Sequence, residues 1–128
     1  MAEPFADRWL GEVISLNRTQ LDLSRPETIA DSIDQLTPDL VVNPAAYTAG
    51  DRAENERSLA FRVNAEAPWA IAVWAARYNV PLIQFSTDYV FDGSGERPWC
   101  EVDVPAPLST YGESKLVKPP SMLPTVRI

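Results

Sequence analysis

The segment Ser109-Thr110-Tyr111-Gly112-Glu113-Ser114-Lys115 places a phenol and an ammonium four positions apart. On a helix, positions i and i+4 lie one above the other, so the Lys115 ammonium can stand beside the Tyr111 ring. An unperturbed tyrosine titrates at about 10 and is a sluggish acid or base at neutral pH. A neighbouring cation favours the phenolate and brings the group toward the working range of a general acid. Such a tyrosine can hand a proton to a carbonyl oxygen as hydride reaches its carbon. A lone Tyr-x-x-x-Lys pair is more often a packed ring beside a solvated lysine, so a second feature has to agree. Ser86 and Thr87 do agree. They follow the apolar run Val80-Pro81-Leu82-Ile83-Gln84-Phe85, at the carboxyl end of a predicted strand, the edge where open α/β sheets hold ligands. A hydroxyl there can bond the carbonyl that Tyr111 protonates. The plainer role is satisfying backbone groups at the strand end.

Other chemistry is scarce. The 128 residues contain no histidine and one cysteine, Cys100. The commonest general base and metal ligand is missing, and no disulfide framework or cysteine zinc site can form within one chain. Asp51, Glu54 and Glu56 read as a solvated helix start enriched in acids rather than a metal site. Asp92-Gly93-Ser94-Gly95-Glu96 reads as a surface turn, because no helix start follows it directly. Trp69 and Trp74 read as core or interface aromatics. A net charge of −7 argues against nucleic-acid binding, which leaves a basic footprint. No apolar run approaches the ~20 residues of a membrane span, and the N-terminus lacks the pattern of a signal peptide. A single cysteine fits a reducing, cytoplasmic setting.

The elements that must position Tyr111, Lys115 and Thr87 alternate along the chain. Residues 11–17 read as a short strand through Val13, Ile14 and Leu16. Residues 24–36 read as a helix, with Ser24 as N-cap, Pro26 in the first turn and Ile29, Ile33 and Leu36 at helical spacing. Leu40-Val41-Val42 gives a second strand, stopped at Asn43-Pro44. Residues 54–79 are helical in composition, with a break expected near Asn64 because Pro68 prefers the first turn of a new helix. A third strand follows in 80–91, then a helix from Ser109, which prolines at 119, 120 and 124 should end soon after Lys115. Strands alternating with helices predict a parallel α/β sheet, its strands buried on both faces.

Two stretches carry a resemblance. Ser86-Thr87-Asp88-Tyr89-Val90-Phe91-Asp92-Gly93, followed by Pro105-Ala106-Pro107-Leu108 and the Tyr111–Lys115 segment, resembles the extended short-chain dehydrogenase/reductases. Within them it is similar to the dTDP-4-dehydrorhamnose reductase family. The segments 21–24, 38–54 and 61–72 follow in register, so the resemblance spans about 11–116. It implies a Rossmann-like doubly wound parallel sheet and reduction of the C4 ketone of dTDP-4-dehydro-L-rhamnose. Tyr111 then gives the proton to the C4 oxygen, and Lys115 tunes it and bonds the nicotinamide ribose. Thr87 stands beside the reacting carbonyl, with Asp88 and Tyr89 on the sugar side. Asp22-Leu23 brackets adenine, and Ala46-Tyr47-Thr48 runs past the cofactor phosphates and ribose. Asn17 stands where the family has an aspartate that would repel a 2′-phosphate. With Arg18 beside it, NADPH is expected over NADH. The family is associated with magnesium, for which no carboxylate cluster presents itself, and a homodimer is possible for an intact member.

The chain departs from the pattern at both ends. Family members open with a strand and a G-x-x-G-x-x-G turn that seats pyrophosphate on a helix N-terminus, and no such glycines precede Gly11. Residues 117–128 match nothing in the family. Bases encoding Val117-Lys118-Pro119-Pro120 can, read one position over, give Gly-Glu-Ala-Ala, as a frameshift would. The expectation is one partial nucleotide-binding domain over 1–128, inactive or barely active alone. The competing expectation is a non-catalytic NADP-binding module resembling the regulatory subunit of methionine adenosyltransferase.

Overall fold

A computed structural model of the chain describes residues 11–116 and the backbone of Thr125–Arg127. Three short strands, β1 (Val41–Asn43), β2 (Leu82–Gln84) and β3 (Thr125–Arg127), form a sheet in the order β1-β2-β3. All pairings are parallel: Val42 faces Ile83, and Ile83 faces Val126. Parallel neighbours need a crossover, and between β1 and β2 it is helical. It comprises α2 (Gly50–Asn55), α3 (Arg57–Phe61), a π-helical segment (Arg62–Glu66) and α4 (Ala67–Tyr78).

The break expected near Asn64 is a change of winding instead. Pro68 has no N–H to give to the carbonyl of Asn64, four residues back. The chain answers with the wider π turn over Arg62–Glu66, and Pro68 sits in the first turn of α4. The run ends at Asn79, which takes the left-handed φ of 55°. A short polar side chain tolerates that conformation best after glycine. From there Val80 donates its N–H to the Ala75 carbonyl at 2.8 Å.

The helix expected over 24–36 is a 3-10 turn, Pro26–Thr28, running into α1 (Ile29–Asp34). Ser24 is not its N-cap. Its N–H and hydroxyl donate to Asp22 Oδ1, at 2.9 and 2.7 Å, so the local turn takes the serine before the helix begins. Ile29 and Ile33 are buried as their spacing predicts, packed on Ala67, Ile71, Ala72, Trp74 and Ala75 of α4 and on Leu82 of β2. Alanine on the α4 face lets the two helices approach closely. The Trp74 indole donates to Asp34 Oδ1 at 3.1 Å, whereas Trp69 is exposed.

The sequence expectation fails at three further points. Residues 11–17 form no strand, and Val13 and Ile14 are each about half exposed. A strand exists only where a neighbour takes its N–H and C=O groups, and among the described residues this segment has none. Val42, expected to be covered, is also half exposed, so the described layers cover one face of β1. The long strand expected over 80–91 shortens to Leu82–Gln84. Thr87 then caps a 3-10 turn, Asp88–Val90. Among the described residues no helix is long and apolar enough to cross a membrane.

Candidate active site

β1 and β2 end side by side. The Asn43 amide donates to Gln84 Oε1 at 2.8 Å, and Asn43 Oδ1 accepts from Ala45 N at 3.2 Å. This pins the two loops that leave the carboxyl edge of the sheet. Helix α5 (Thr110–Leu116) is joined to that edge by Lys115, whose Nζ donates to the Phe85 carbonyl at 2.7 Å. Partial burial holds this ammonium below the usual lysine range, because desolvation disfavours the charged form. One turn earlier, the Tyr111 ring meets the Tyr89 ring edge-on, with centroids 5.6 Å apart and planes at 72°, a favoured aromatic geometry. Both rings border a cleft of about 420 Å³, whose other walls are Ser109, Thr48, Gly50, Asp51 and Glu54.

Residues to which the sequence reading gave no part in the site hold α5 there. Gly112 packs on the Tyr89 backbone, where any side chain would collide. Asn64 is buried in the π segment. Its Oδ1 accepts from Tyr47 N at 2.7 Å, and its Nδ2 donates to Tyr47 O at 3.1 Å and to Ser114 Oγ at 2.9 Å. Ser114, fully buried, donates its hydroxyl hydrogen bond to the Tyr111 carbonyl at 2.8 Å. One amide thus ties the loop after β1 to the helix that carries Tyr111. The available signal was an asparagine four residues before a proline, inside a helix, where a polar side chain needs a reason to be.

The expected site residues divide. Thr48, Tyr89 and Tyr111 line the cleft, and Lys115 lies a turn beyond. Thr87 sits at the end of β2 but not in the cleft wall. Its hydroxyl donates to Asp88 Oδ1 and accepts from Tyr89 N, both at 3.3 Å. Ser86 and Asp88 are exposed, and Ala46 is half-buried. Tyr47 gives its hydroxyl to Glu56, which raises the phenol's pKa and lowers that of the carboxyl. Asn17, Arg18, Asp22 and Leu23 lie outside the cleft wall. Asn17 Oδ1 accepts from Thr19 N and Gln20 N at 3.0 and 3.2 Å, Arg18 pairs with Asp22 at 3.6 Å, and Leu23 packs on the core. The two N–H and O–H donors of Ser24 hold the Asp22 carboxyl below the usual range.

Of the three acids near α2, Glu54 is bound to Thr110 and Glu56 to Tyr47, rather than both standing free in solvent. No three metal-ligating side chains converge among the described residues.

A parallel sheet with a helical crossover, and a ligand-sized cleft at its carboxyl edge, define a Rossmann-type α/β domain. The match to the RmlD substrate binding domain runs over residues 6–119, and the chain belongs to that family. It is 49% identical over 105 residues to a dTDP-4-dehydrorhamnose reductase of Sinorhizobium fredii, covering 82% of this chain and 36% of that protein. The crystal structure of a dTDP-4-dehydrorhamnose reductase from Clostridium acetobutylicum superposes with a TM-score of 0.81 at 35% identity, over 91% of this chain and 44% of that one. The Bacillus anthracis reductase, solved in complex with NADP, gives 0.76 at 33% identity over 81% and 37%. The chain therefore spans about a third of the length of the curated relatives it matches.

Proposed function

We propose that this chain forms the proton-donating side of an NADPH-dependent reductase acting on the C4 ketone of dTDP-4-dehydro-L-rhamnose. One observation carries the reading most: Tyr111 in the cleft wall, with the desolvated Lys115 ammonium a turn away and bonded to the carboxyl end of β2. Tyr111 gives its phenolic proton to the C4 oxygen. Lys115, an ammonium with three donors, keeps one on Phe85 O and offers the others to a ribose diol. Thr87, Asp88 and Tyr89 form the sugar side, with the Thr87 hydroxyl exchanging its weak 3.3 Å contacts for the carbonyl.

The nicotinamide cofactor, when bound, supplies the hydride. Asp22-Leu23 borders its adenine and Asn17-Arg18 its ribose 2′-phosphate. Ala46-Tyr47-Thr48 borders its backbone, where the small side chains of Ala46 and Thr48 leave room for close approach. The NADP complex of the Bacillus anthracis relative supports this cofactor class. No observation favours the regulatory-module reading.

The test is incubation of the chain with NADPH and dTDP-4-dehydro-L-rhamnose, long enough for slow turnover to register, with dTDP-L-rhamnose separated by chromatography. NADPH binding is titrated in parallel. Loss of a general acid costs about 10²–10⁴ in rate. Product that falls by that order in Tyr111→Phe and Lys115→Met supports the reading. Undiminished product from both variants overturns it, and so does a chain that neither binds NADPH nor forms product.

A further inference from the structure

The first turn of a helix leaves its N–H groups without partners inside the helix. In α5 the Ser109 hydroxyl takes one, accepting from Gly112 N at 3.1 Å, the ordinary position for an N-cap. The Thr110 N–H is taken from outside the helix. Glu54, on α2 and 56 positions earlier, accepts it on Oε1 at 2.8 Å, and its Oε2 accepts the Thr110 hydroxyl at 2.9 Å. Arg57 closes the group, donating to Thr110 Oγ1 at 3.1 Å and pairing with Glu113 at 2.6 Å. A carboxylate at a helix start is also favoured by the helix dipole. Glu54 borders the cleft with Thr48 and Tyr111, so its two bonds span the site from the helix after β1 to the helix of the tyrosine.

We propose that Glu54 is a positioning residue, whose carboxylate caps α5 from α2 and so sets where Tyr111 stands against the cleft. The catalytic half of this statement rests on the proposed reductase reading. The structural half does not. A solvated acid at a helix start would make neither bond, and a residue serving only general stability would not act on one helix.

Amide hydrogen exchange and kinetics separate these roles. In Glu54→Ala, exchange at Thr110 and the next α5 amides should quicken at least about tenfold, the size of one lost charge-assisted bond. The amides of Tyr47 and Leu82–Gln84 should keep their rates. Glu54→Gln keeps one acceptor without the charge, should fold as the parent does, and should fall between. Where the parent forms product, kcat should drop in the order parent, Gln, Ala, with NADPH affinity within about twofold, since a shifted α5 misplaces the proton donor more than the cofactor. Unchanged α5 exchange in Glu54→Ala overturns the proposal, as does equal quickening in all three regions or an unchanged kcat. If the parent forms no product, exchange alone decides the cap, and the reductase reading falls only where NADPH binding is absent as well.

Discussion

Gly112 lies so near Tyr89 that a Cβ on it would stand 2.2 Å from the Tyr89 carbonyl oxygen and 3.0 Å from the Pro107 Cβ. The obstacle is backbone, which cannot swing aside as a side-chain tip can. α5 therefore reaches the 3-10 turn after β2 only because one residue of its inner face has no side chain.

Gly112→Ala separates two opposed effects. Alanine favours a helix over glycine by about 1 kcal/mol, while an overpacked contact costs about 1–3 kcal/mol. The collision should win, because the obstacle is backbone, lowering stability by up to about 2 kcal/mol and moving Tyr111 from Tyr89. Urea unfolding measures the first and turnover the second. A more stable variant would show that the backbone contact does not constrain α5.

Local patterns were legible and non-local ones were not. That Tyr111 and Lys115 share one helix could be read from spacing alone, because helix geometry is a short-range property. Ile29 and Ile33 could be placed in the core for the same reason. Residues 11–17 look like a strand in composition, yet a ladder needs a neighbour that composition does not contain. Ser24 was read against the helix after it, while the turn before it won the hydroxyl. Asn64 reads only as a helix break and Glu54 only as a solvated acid, because their partners on α5 lie 50 and 56 positions away, and Gly112 has no visible role without the Tyr89 backbone it meets. Sequence distance hides such relationships until the sheet has brought its carboxyl-edge loops together.

Asn64 should be among the costliest polar positions to change. Replacing it by leucine leaves the Tyr47 N–H and C=O without their buried partner and removes one from Ser114. An unsatisfied buried group costs about 1–3 kcal/mol, so a loss of at least ~3 kcal/mol is expected. Asn64→Asp adds a test of sign. The new carboxyl would be buried facing the Tyr47 carbonyl, which favours its protonated form and raises its folded pKa. Its stability is then best below the unfolded pKa and is lost as pH rises through the folded one. Asn64→Leu has no such slope. Equal pH dependence in the two variants would contradict the assigned network.

Lys115 predicts an alkaline effect of opposite direction. Burial lowers its folded pKa below the ordinary lysine value of 10.5, so between the two values the unfolded chain holds more protons. The penalty for burying the charged form is full below the folded pKa and relieved as pH rises toward 10.5. The parent should therefore gain stability relative to Lys115→Met across that window. The difference between the two chains is the quantity to follow, because Tyr47 and Tyr78 have raised pKa values and lose stability in the same alkaline range. Parallel curves for parent and variant would mean that the ammonium is solvated in the folded state.

Cofactor choice can be tested at Asn17 without disturbing the fold. Its Oδ1 accepts from Thr19 N, Thr19 Oγ1 and Gln20 N, bonds that a carboxylate oxygen makes equally well. Asp22 makes just such a turn, with Ser24 five residues further along than the Thr19 donor. Asn17→Asp should therefore keep stability while placing a negative charge where a 2′-phosphate would lie. Arg18 is largely exposed and holds Asp22 only at 3.6 Å, so it is available to pair with that phosphate. Charge-assisted hydrogen bonds are worth about 1.5–3 kcal/mol, or roughly tenfold and upward in affinity. The parent should bind NADPH more tightly than NADH, Arg18→Ala should weaken NADPH by about tenfold with little change for NADH, and Asn17→Asp should invert the preference. Titration of each chain with both cofactors decides the matter, and a parent that prefers NADH would remove the assignment of Asn17 and Arg18 to the phosphate.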